Sequence, residues 1–349
     1  MSDSPAPHRV LVVGCGKGGD GVGGHSIGYA HGRDWHASPR ATLVGAVDLV
    51  PELAARFAET FNIPHHGTGL DAVLAASQPD IVSLCTYAGA RPPIIETCLR
   101  HGVRGIWCEK PFALTMDAAR AMVAACEAAG ARMIVNHCRR DMPAFRRVKE
   151  LLDAGAIGEP MLMTAAIPGW DQMEWGTHWH DMFRMWAGDQ PVDWVMGQAR
   201  CTGERRGYGH PIEEASVGYY AFRDGTRALL DGGVTFRGEA ALSILGSHGV
   251  IHLDRDGTIR LINGDGEKVI TGLGGIHPPP YGSRESLLIP HALLDWMEGG
   301  PVPSIAASNG LLSTELYLAV YESAARRDRI DLPLGAQCEF PLDRLAAGD

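Results

Sequence analysis

The segment Glu109-Lys110-Pro111 places an acid, an amine and a proline directly after a short apolar run, Gly105-Ile106-Trp107-Cys108. That run has the character of a buried parallel strand. Proline disfavours helical backbone in the residue before it, so Lys110 is predicted to be extended at the strand end. In open α/β sheets, ligands bind at the carboxyl ends of the strands, where a lysine can exchange a proton with a ligand. A surface Glu–Lys pair at a strand exit is the alternative interpretation.

A second polar group occupies residues 174–181, with Glu174, His178, His180 and Asp181 close together in the chain. On a helix that begins near Thr177, His178 and Asp181 share one face, whereas His180 points elsewhere. An imidazole can accept the proton that an alcohol loses when a hydride leaves its carbon. A lysine and a histidine that meet beside a nicotinamide ring would therefore suit alcohol oxidation.

Other interpretations of this second group stay open. Histidines and carboxylates are common metal ligands, but two histidines two residues apart on a regular helix do not converge on one ion, so no metal site is predicted. His178 could also be a structural histidine at a helix start. The tryptophans of the region either pack in a core or present a face to a sugar ring; they are Trp170, Trp175, Trp179 and Trp186.

Glycines follow the first apolar run, residues 8–14, in the pattern typical of a dinucleotide phosphate loop. Gly14 and Gly16 let the backbone approach a pyrophosphate at a helix N-terminus. A glycine-rich run disfavours a helix start at residues 18–24, so residues 17–25 are interpreted as an insertion. Ser26, Ile27 and Gly28 then open the helix, with Gly28 as the displaced third glycine. A flexible glycine-rich surface loop is the alternative.

Asp48 ends the second predicted strand, residues 42–48, and lies 20 residues after Gly28. This is close to the spacing expected for the acid that binds the adenine ribose. Its carboxylate would accept hydrogen bonds from the ribose hydroxyls and repel a 2′-phosphate. Leu49 follows, and the next residues contain no Arg or Lys. NAD is therefore predicted as the cofactor, with NADP less favoured.

Strand and helix alternate as far as residue 137, which predicts a doubly wound parallel sheet. Thr86 and Tyr87 end a strand at 80–86 and should border the cofactor. Beyond this point, alternating strands with turns at Asp224-Gly225, Gly246-Ser247 and Asp256-Gly257 predict antiparallel hairpins. The expected architecture is α/β, with a Rossmann domain at 1–135 and an α+β domain with an open, mostly antiparallel sheet at 136–349.

Composition excludes several other classes of protein. The 349 residues are 45% hydrophobic and 21% charged, which suits two globular domains. The net charge of −10 argues against a nucleic-acid or anionic-membrane surface, and favours neutral or cationic small substrates over polyanions. The eight cysteines show no metal-binding spacing, and no signal peptide or membrane-spanning run is recognised. A cytoplasmic protein is expected.

Taken in order, these motifs resemble the glucose–fructose oxidoreductase/inositol dehydrogenase (Gfo/Idh/MocA) family. The resemblance rests on the glycine pair, Asp48, Glu109-Lys110-Pro111, the residues from Asn136 to Arg139, and Glu174-x-x-x-His178-x-x-Asp181, and it extends over nearly the whole chain. It implies Lys110 and His178 as catalytic residues, Glu174 as the substrate-binding acid, and dimers or tetramers formed through the C-terminal sheet. The departures from the family pattern are the loop insertion, Glu174 in place of the common Asp, Tyr87 in place of Pro, and Arg91 in place of His.

We therefore expect an NAD-dependent dehydrogenase acting on a secondary hydroxyl of a sugar, sugar derivative or cyclitol. Glu109 and Asn136 would seat the nicotinamide end, Lys110 and His178 would handle the proton, and Glu174 and Asp181 would orient the substrate. Trp170 and Trp175 are further candidates for substrate contact. One alternative is a redox-elimination enzyme that recycles NAD while cleaving a glycosidic bond. A non-catalytic, cofactor-dependent regulator is the other.

Overall fold

The computed structural model describes residues 6–17, 27–235 and 241–348. Its first elements alternate strictly between strand and helix, as the sequence predicted. They are β1 (His8–Val13), α1 (Ile27–Ala37), β2 (Ala41–Val47), α2 (Pro51–Phe61), β3 (His65–Gly67), α3 (Leu70–Ser77), β4 (Ile81–Leu84), α4 (Arg91–Arg100), β5 (Gly105–Cys108), α5 (Met116–Ala128) and β6 (Arg132–Val135).

The six strands form one parallel sheet in the order β3-β2-β1-β4-β5-β6. The order reverses between β1 and β4, where an open α/β sheet places its ligand crevice. Strands β1, β4 and β5 are apolar and almost fully buried, because helices cover both faces of such a sheet. The predicted Rossmann architecture is confirmed.

The remaining elements include the strands of a second, mixed sheet. They are α6 (Pro143–Asp153), β7 (Pro160–Pro168), α7 (Gly176–Trp186), β8 (Val192–Arg200), β9 (Arg206–Gly207), β10 (His210–Pro211), β11 (Ala215–Phe222), β12 (Arg227–Gly233), β13 (Ala241–Gly246), β14 (Gly249–Leu253), β15 (Ile259–Asn263), β16 (Gly266–Ile270), α8 (Leu288–Met297), α9 (Ala307–Arg326), β17 (Ile330–Asp331) and α10 (Pro341–Ala347).

Nine of these strands form a sheet in the order β16-β15-β14-β13-β7-β12-β11-β8-β17. Only the β7–β12 pair is parallel among the ladders described, so the sheet is mostly antiparallel, as predicted. The three predicted Gly-containing turns all connect antiparallel neighbours. One face of the sheet packs on a large apolar core that includes Phe183, Tyr220 and Tyr317.

The chain divides into two compact units that interleave, where the sequence predicted one boundary near residue 135. Unit 1 holds residues 1–109, 120–136 and 279–308, and unit 2 holds 110–119, 137–278 and 309–349. Helix α8 was expected in the second domain but packs on β5 and β6 of unit 1. Gly105 leaves room for it, since a Cβ there would lie 2.4 Å from Sδ of Met297.

No helix in the described segments is both long and apolar enough to cross a membrane. The cysteines, all of which lie in those segments, form no disulfide.

Candidate active site

The glycine corner of unit 1 brings the end of β1 against the start of α1. Gly14 and Gly16 have positive φ of 89° and 72°, a conformation that residues with a side chain rarely adopt. A Cβ on Gly14 would lie 2.8 Å from the carbonyl oxygen of Cys85, and one on Gly28 would lie 2.4 Å from that of Gly14. Both contacts exclude a side chain. Gly28 thus takes the position of a third fingerprint glycine, where helix and strand pack closely.

Ile27 is the first residue of α1 in this corner. The predicted cofactor residue Ser26 and residues 18–25 of the predicted insertion lie outside the described residues. The described glycines leave a backbone surface that a pyrophosphate can approach, so the residues fit a bound dinucleotide.

Asp48 lies beside this corner, at the exit of β2. Its carboxylate accepts hydrogen bonds from the backbone N–H of Gly16 at 3.1 Å and of Val50 at 3.0 Å. Leu49 is 91% exposed, so it is free to cover a flat ligand. The acid is held at the carboxyl end of β2, the strand beside β1, where a ribose-binding carboxylate belongs.

The exit of β4 carries the other two predicted cofactor contacts of this region. The carbonyl oxygen of Thr86 accepts two hydrogen bonds from the guanidinium of Arg91, at 2.7 and 3.1 Å. Tyr87 is 44% exposed. The arginine that replaces the usual family histidine therefore braces this strand end through its backbone.

A buried hydrogen-bonded network lies behind Glu109 in unit 1. Its carboxylate accepts a hydrogen bond from the amide of Asn136 and lies 2.9 Å from Nε2 of His31. The other ring nitrogen of His31 is 3.0 Å from Oγ of Ser83, and the ring stacks on Trp107. Glu109 is only 4% exposed. The network holds Asn136 in place and leaves its Oδ1 buried without a partner among the described residues.

Sequence reasoning missed the role of His31, which it treated only as part of the first helix. The spacing held a usable signal. His31 is three residues after Gly28 and therefore lies on the same, sheet-facing side of α1.

Lys110 begins the part of the chain that belongs to unit 2. Its Nζ donates a 2.8 Å hydrogen bond to the backbone carbonyl of Glu174 and lies 5.3 Å from the ring centre of Trp175. That ring is 6.1 Å from the imidazole of His178. The predicted boundary near residue 135 placed Lys110 in the first domain and His178 in the second. The structure instead groups both residues in unit 2.

Glu174 is 8% exposed, and its side chain turns towards β10. Its Oε1 is 2.9 Å from Nε2 of His210. Sequence reasoning did not find His210, since it lies on a two-residue strand that no periodicity could reveal.

The environment of His178 keeps the ring neutral. Burial first, and then the neighbouring Arg139, Lys110 and His137, lower its pKa well below the usual value. Its Nδ1 is buried without a hydrogen-bond partner among the described residues. Burial likewise lowers the pKa of His137 to about 4. A neutral imidazole beside an amine can accept a hydrogen bond from a hydroxyl and relay its proton.

Asp181 does not join this group. It is fully buried and accepts hydrogen bonds from Arg140 at 2.8 Å, Ser313 at 2.9 Å and Asn309 at 3.1 Å. Burial acts to raise its pKa, but Arg140 and neighbouring cations outweigh that effect and lower it. These contacts tie α7 to α9. They occupy the carboxylate, so a structural ion pair replaces the expected direct contact with substrate.

The other aromatic and imidazole side chains of the region separate into two groups. Trp179 and Trp186 are 5% and 2% exposed and belong to the core. Trp170 is 45% exposed, and its ring centre lies 4.2 Å from that of Trp175. His180 points away from the face that carries His178, as predicted, and its Nε2 is 3.2 Å from the carbonyl oxygen of Gln172.

In the described part of the chain, no cluster of three or more His, Cys, Asp or Glu side chains could hold a metal ion.

A parallel sheet with a glycine corner and a ribose-type acid, followed by a lysine–histidine group, defines a Rossmann-fold oxidoreductase. Residues 8–137 match the Gfo/Idh/MocA family model, described as an oxidoreductase family with an NAD-binding Rossmann fold. This match to the N-terminal part of the chain agrees with the resemblance that the motifs indicated.

Individual relatives extend the comparison. D-apiose dehydrogenase of Paraburkholderia graminis is 37% identical over 140 residues, which cover 40% of this chain and 36% of that protein. The chain thus spans about a third of that relative. Inositol 2-dehydrogenase of Rhizobium meliloti is 26% identical over 262 residues, which cover 70% of this chain and 78% of that protein. The WlbA dehydrogenase of Bordetella pertussis, solved with NADH and UDP-GlcNAcA, shares the fold with a TM-score of 0.76 and 22% identity. The structural match covers 96% of this chain and 100% of that one.

Proposed function

We propose that the protein is an NAD-dependent dehydrogenase that interconverts a secondary hydroxyl and a ketone on a sugar, sugar derivative or cyclitol. The observation that carries the proposal is the grouping of Lys110, Glu174 and His178 in one unit. Lys110 follows directly after Glu109 in the chain. The relatives named as D-apiose and inositol dehydrogenases support this class of substrate.

The reaction converts a secondary alcohol and NAD⁺ into a ketone, NADH and a proton. Bound NAD⁺ supplies the hydride acceptor. The amine of Lys110 and the neutral imidazole of His178 are the two groups that accept the hydroxyl proton and pass it on. Glu174 binds a substrate hydroxyl, and its pairing with His210 sets the orientation of its carboxylate. Trp170 and Trp175 offer an aromatic surface to the apolar face of a sugar ring.

The preference for NAD over NADP rests on Asp48. Its carboxylate is fixed by two backbone N–H groups and so cannot easily turn away from a 2′-phosphate. In this proposal Glu109, braced by His31, positions Asn136 at the nicotinamide end.

The experiment is a spectrophotometric assay of the purified protein with NAD⁺ or NADP⁺ and a panel of aldoses, polyols, cyclitols and sugar acids. Stoichiometric NADH formation with at least one compound supports the dehydrogenase. Product formation without net NADH would instead favour the redox-elimination alternative. Dinucleotide binding without turnover of any compound would favour a regulator.

We also propose that the open face of the nine-stranded sheet binds a second copy of the chain. Apolar side chains line up across neighbouring strands on this face, where Met196 is opposite Tyr219 and Tyr219 is opposite Leu229. Met196 and Leu245 are 52% and 48% exposed, and Val269 on β16 is 55% exposed. Exposed large apolar side chains on a sheet face are typical of an interface between subunits.

A further inference from the structure

Arg139 is a buried cation with almost no hydrogen bonds. It lies in a short 3₁₀ turn after β6 and is 2% exposed. Its guanidinium carbon is 5.1 Å from the ring centre of Trp179, 5.8 Å from that of Trp175 and 5.9 Å from that of Phe145. Within the described chain its one hydrogen bond runs from Nε to the carbonyl oxygen of Ile276, at 3.3 Å, and Nη1 is buried without any partner.

The neighbouring arginine shows what a structural role looks like here. Arg140 donates to Asp181 at 2.8 Å and to Asp189 at 2.7 Å, so its charge is neutralised by two carboxylates. Arg139 has no such ion pair among the described residues, and the one titratable side chain there that raises its pKa is the thiol of Cys138.

Keeping Arg139 in this state costs free energy. Desolvation by burial lowers the pKa of Arg139 to about 10, so it remains a cation at neutral pH. Contacts with aromatic faces offset only part of the cost, about 0.5–2 kcal/mol each. A buried charge without an ion pair or hydrogen bonds is otherwise strongly unfavourable. A partner that arrives with the substrate would account for a guanidinium held in this way.

The guanidinium belongs to the same cluster as the proposed catalytic groups. Arg139 and Lys110 both lie against the ring of Trp175. After burial, Arg139 is the largest cause of the lowered pKa of His178. The unpartnered donor is therefore close enough to act on the imidazole that the reaction uses.

We propose that Arg139 binds a carboxylate of the substrate, so that the preferred substrates are polyhydroxy acids rather than neutral sugars or cyclitols. This inference rests on the proposed dehydrogenase function. A guanidinium presents paired N–H donors that match the two oxygens of a carboxylate. The three aromatic rings around it add no further positive charge, which suits a singly charged planar carboxylate better than a phosphate dianion. The net charge of −10 pointed to neutral or cationic substrates, but a local cationic pocket overrides that average.

The test compares matched pairs of compounds that differ only in the acid group. D-Gluconate against D-glucitol and D-galactonate against D-galactitol keep the hydroxyls and replace the carboxylate by CH₂OH. Calorimetry on the protein with NADH measures binding, and NADH formation with NAD⁺ measures kcat/KM. We expect one acid at least to bind about 30-fold more tightly than its neutral partner, in line with a buried charged hydrogen bond.

Two substitutions then assign the preference to Arg139. Arg139→Met keeps an unbranched apolar side chain without the charge and should bring the affinities for the acid and its neutral partner to within about threefold of each other. Arg139→Lys should retain part of the preference. The melting temperature of Arg139→Met should equal or exceed that of the wild type, because an unpaired buried charge is removed. Arg147→Met on the exposed face of α6 is the matched control and should leave both readouts unchanged.

Three results would overturn the inference. They are a wild type that binds no acid more tightly than its neutral partner, an Arg139→Met variant that keeps the preference, and an effect of that variant on NADH affinity alone. The dehydrogenase proposal is judged separately. If neutral polyols are oxidised without an acid preference, that proposal stands and the carboxylate proposal fails. If no compound is oxidised, calorimetry with the acids still decides the role of Arg139.

Discussion

The Nζ of Lys110 donates a 2.8 Å hydrogen bond to the backbone carbonyl of Glu174. This contact fixes the amine by a backbone group and leaves the carboxylate of Glu174 to His210. Two motifs that are 64 residues apart in the chain therefore act as one arrangement.

Lys110→Ala should lower kcat by about 10²–10⁴, the usual contribution of general acid–base catalysis. Lys110→Arg keeps the charge but cannot release a proton at neutral pH, so it should be nearly as impaired. Steady-state kinetics with the best substrate measure both variants. Lys149→Ala on α6 is the control, since Lys149 pairs with the exposed Asp153 of the same helix. A Lys110→Ala enzyme with most of its activity intact would show that the amine takes no part in proton transfer.

Asp48→Ala should change cofactor choice. Removing the carboxylate takes away the repulsion of a 2′-phosphate and the hydrogen bonds to the ribose. The ratio of kcat/KM for NADP to that for NAD should rise about tenfold or more, since like-charge juxtaposition costs several kcal/mol. Asp71→Ala, at a largely exposed position on α3, should leave the ratio unchanged. An unaltered ratio in Asp48→Ala would contradict the assignment of NAD.

Gly28→Ala should weaken both the fold and dinucleotide binding. The new methyl group would lie 2.4 Å from the carbonyl oxygen of Gly14 and 2.5 Å from that of Cys15, so α1 must move away from β1. Overpacking of this kind costs about 1–3 kcal/mol. Thermal unfolding with and without NAD⁺ measures the loss of stability and of ligand stabilisation. Gly264→Ala faces open space and serves as the control. Full NAD⁺ stabilisation in Gly28→Ala would exclude the close-packing role.

His180→Gln should make stability less sensitive to acid. Burial lowers the pKa of His180 to about 3, whereas an unfolded histidine titrates near about 6.5. Between these values the unfolded state binds one more proton, so the contribution of His180 to stability falls as the pH falls below about 6.5. From pH 7 to pH 5 the wild type should lose roughly 2 kcal/mol relative to the variant.

Urea unfolding followed by tryptophan fluorescence at both pH values measures that difference. Comparing wild type with variant removes the contributions of other titrating groups, such as Asp171 and Glu213, whose pKa values burial raises. A constant difference at the two pH values would mean that His180 is protonated in the fold or titrates normally.

Met196→Arg should disrupt self-association through the open sheet face. A cation at this position would lose its hydration in the interface and gain no partner, which costs several kcal/mol. Light scattering after gel filtration should show the wild type as a dimer or tetramer and the variant as a monomer. Val302→Arg changes an exposed apolar residue of unit 1 and should not alter the mass. A wild-type monomer, or a variant of unchanged mass, would contradict the proposal.

Local sequence patterns were sufficient for the elements and for the residues at strand ends. The apolar runs before Asp48, Thr86 and Glu109 predict strands, and parallel strands bring their carboxyl ends to one edge of the sheet. Gly28 was recognised because a helix start and a glycine fall together in the sequence. These inferences use neighbours within a few residues, where backbone preferences and side-chain periodicity decide the outcome.

Contacts between distant residues were decided only by the tertiary structure. His31 and Glu109 are 78 residues apart, and Glu174 and His210 are 36 apart, so no local pattern links them. The same holds for three other features, which depend on the side chains that packing brings together. They are the hydrogen bonds that occupy the carboxylate of Asp181, the lack of an ion pair at Arg139 among the described residues, and the packing of α8 on the first sheet. Sequence alone determined which groups could do chemistry. Burial and hydrogen-bond partners, which exist only in the folded chain, determined which of them are available to do it.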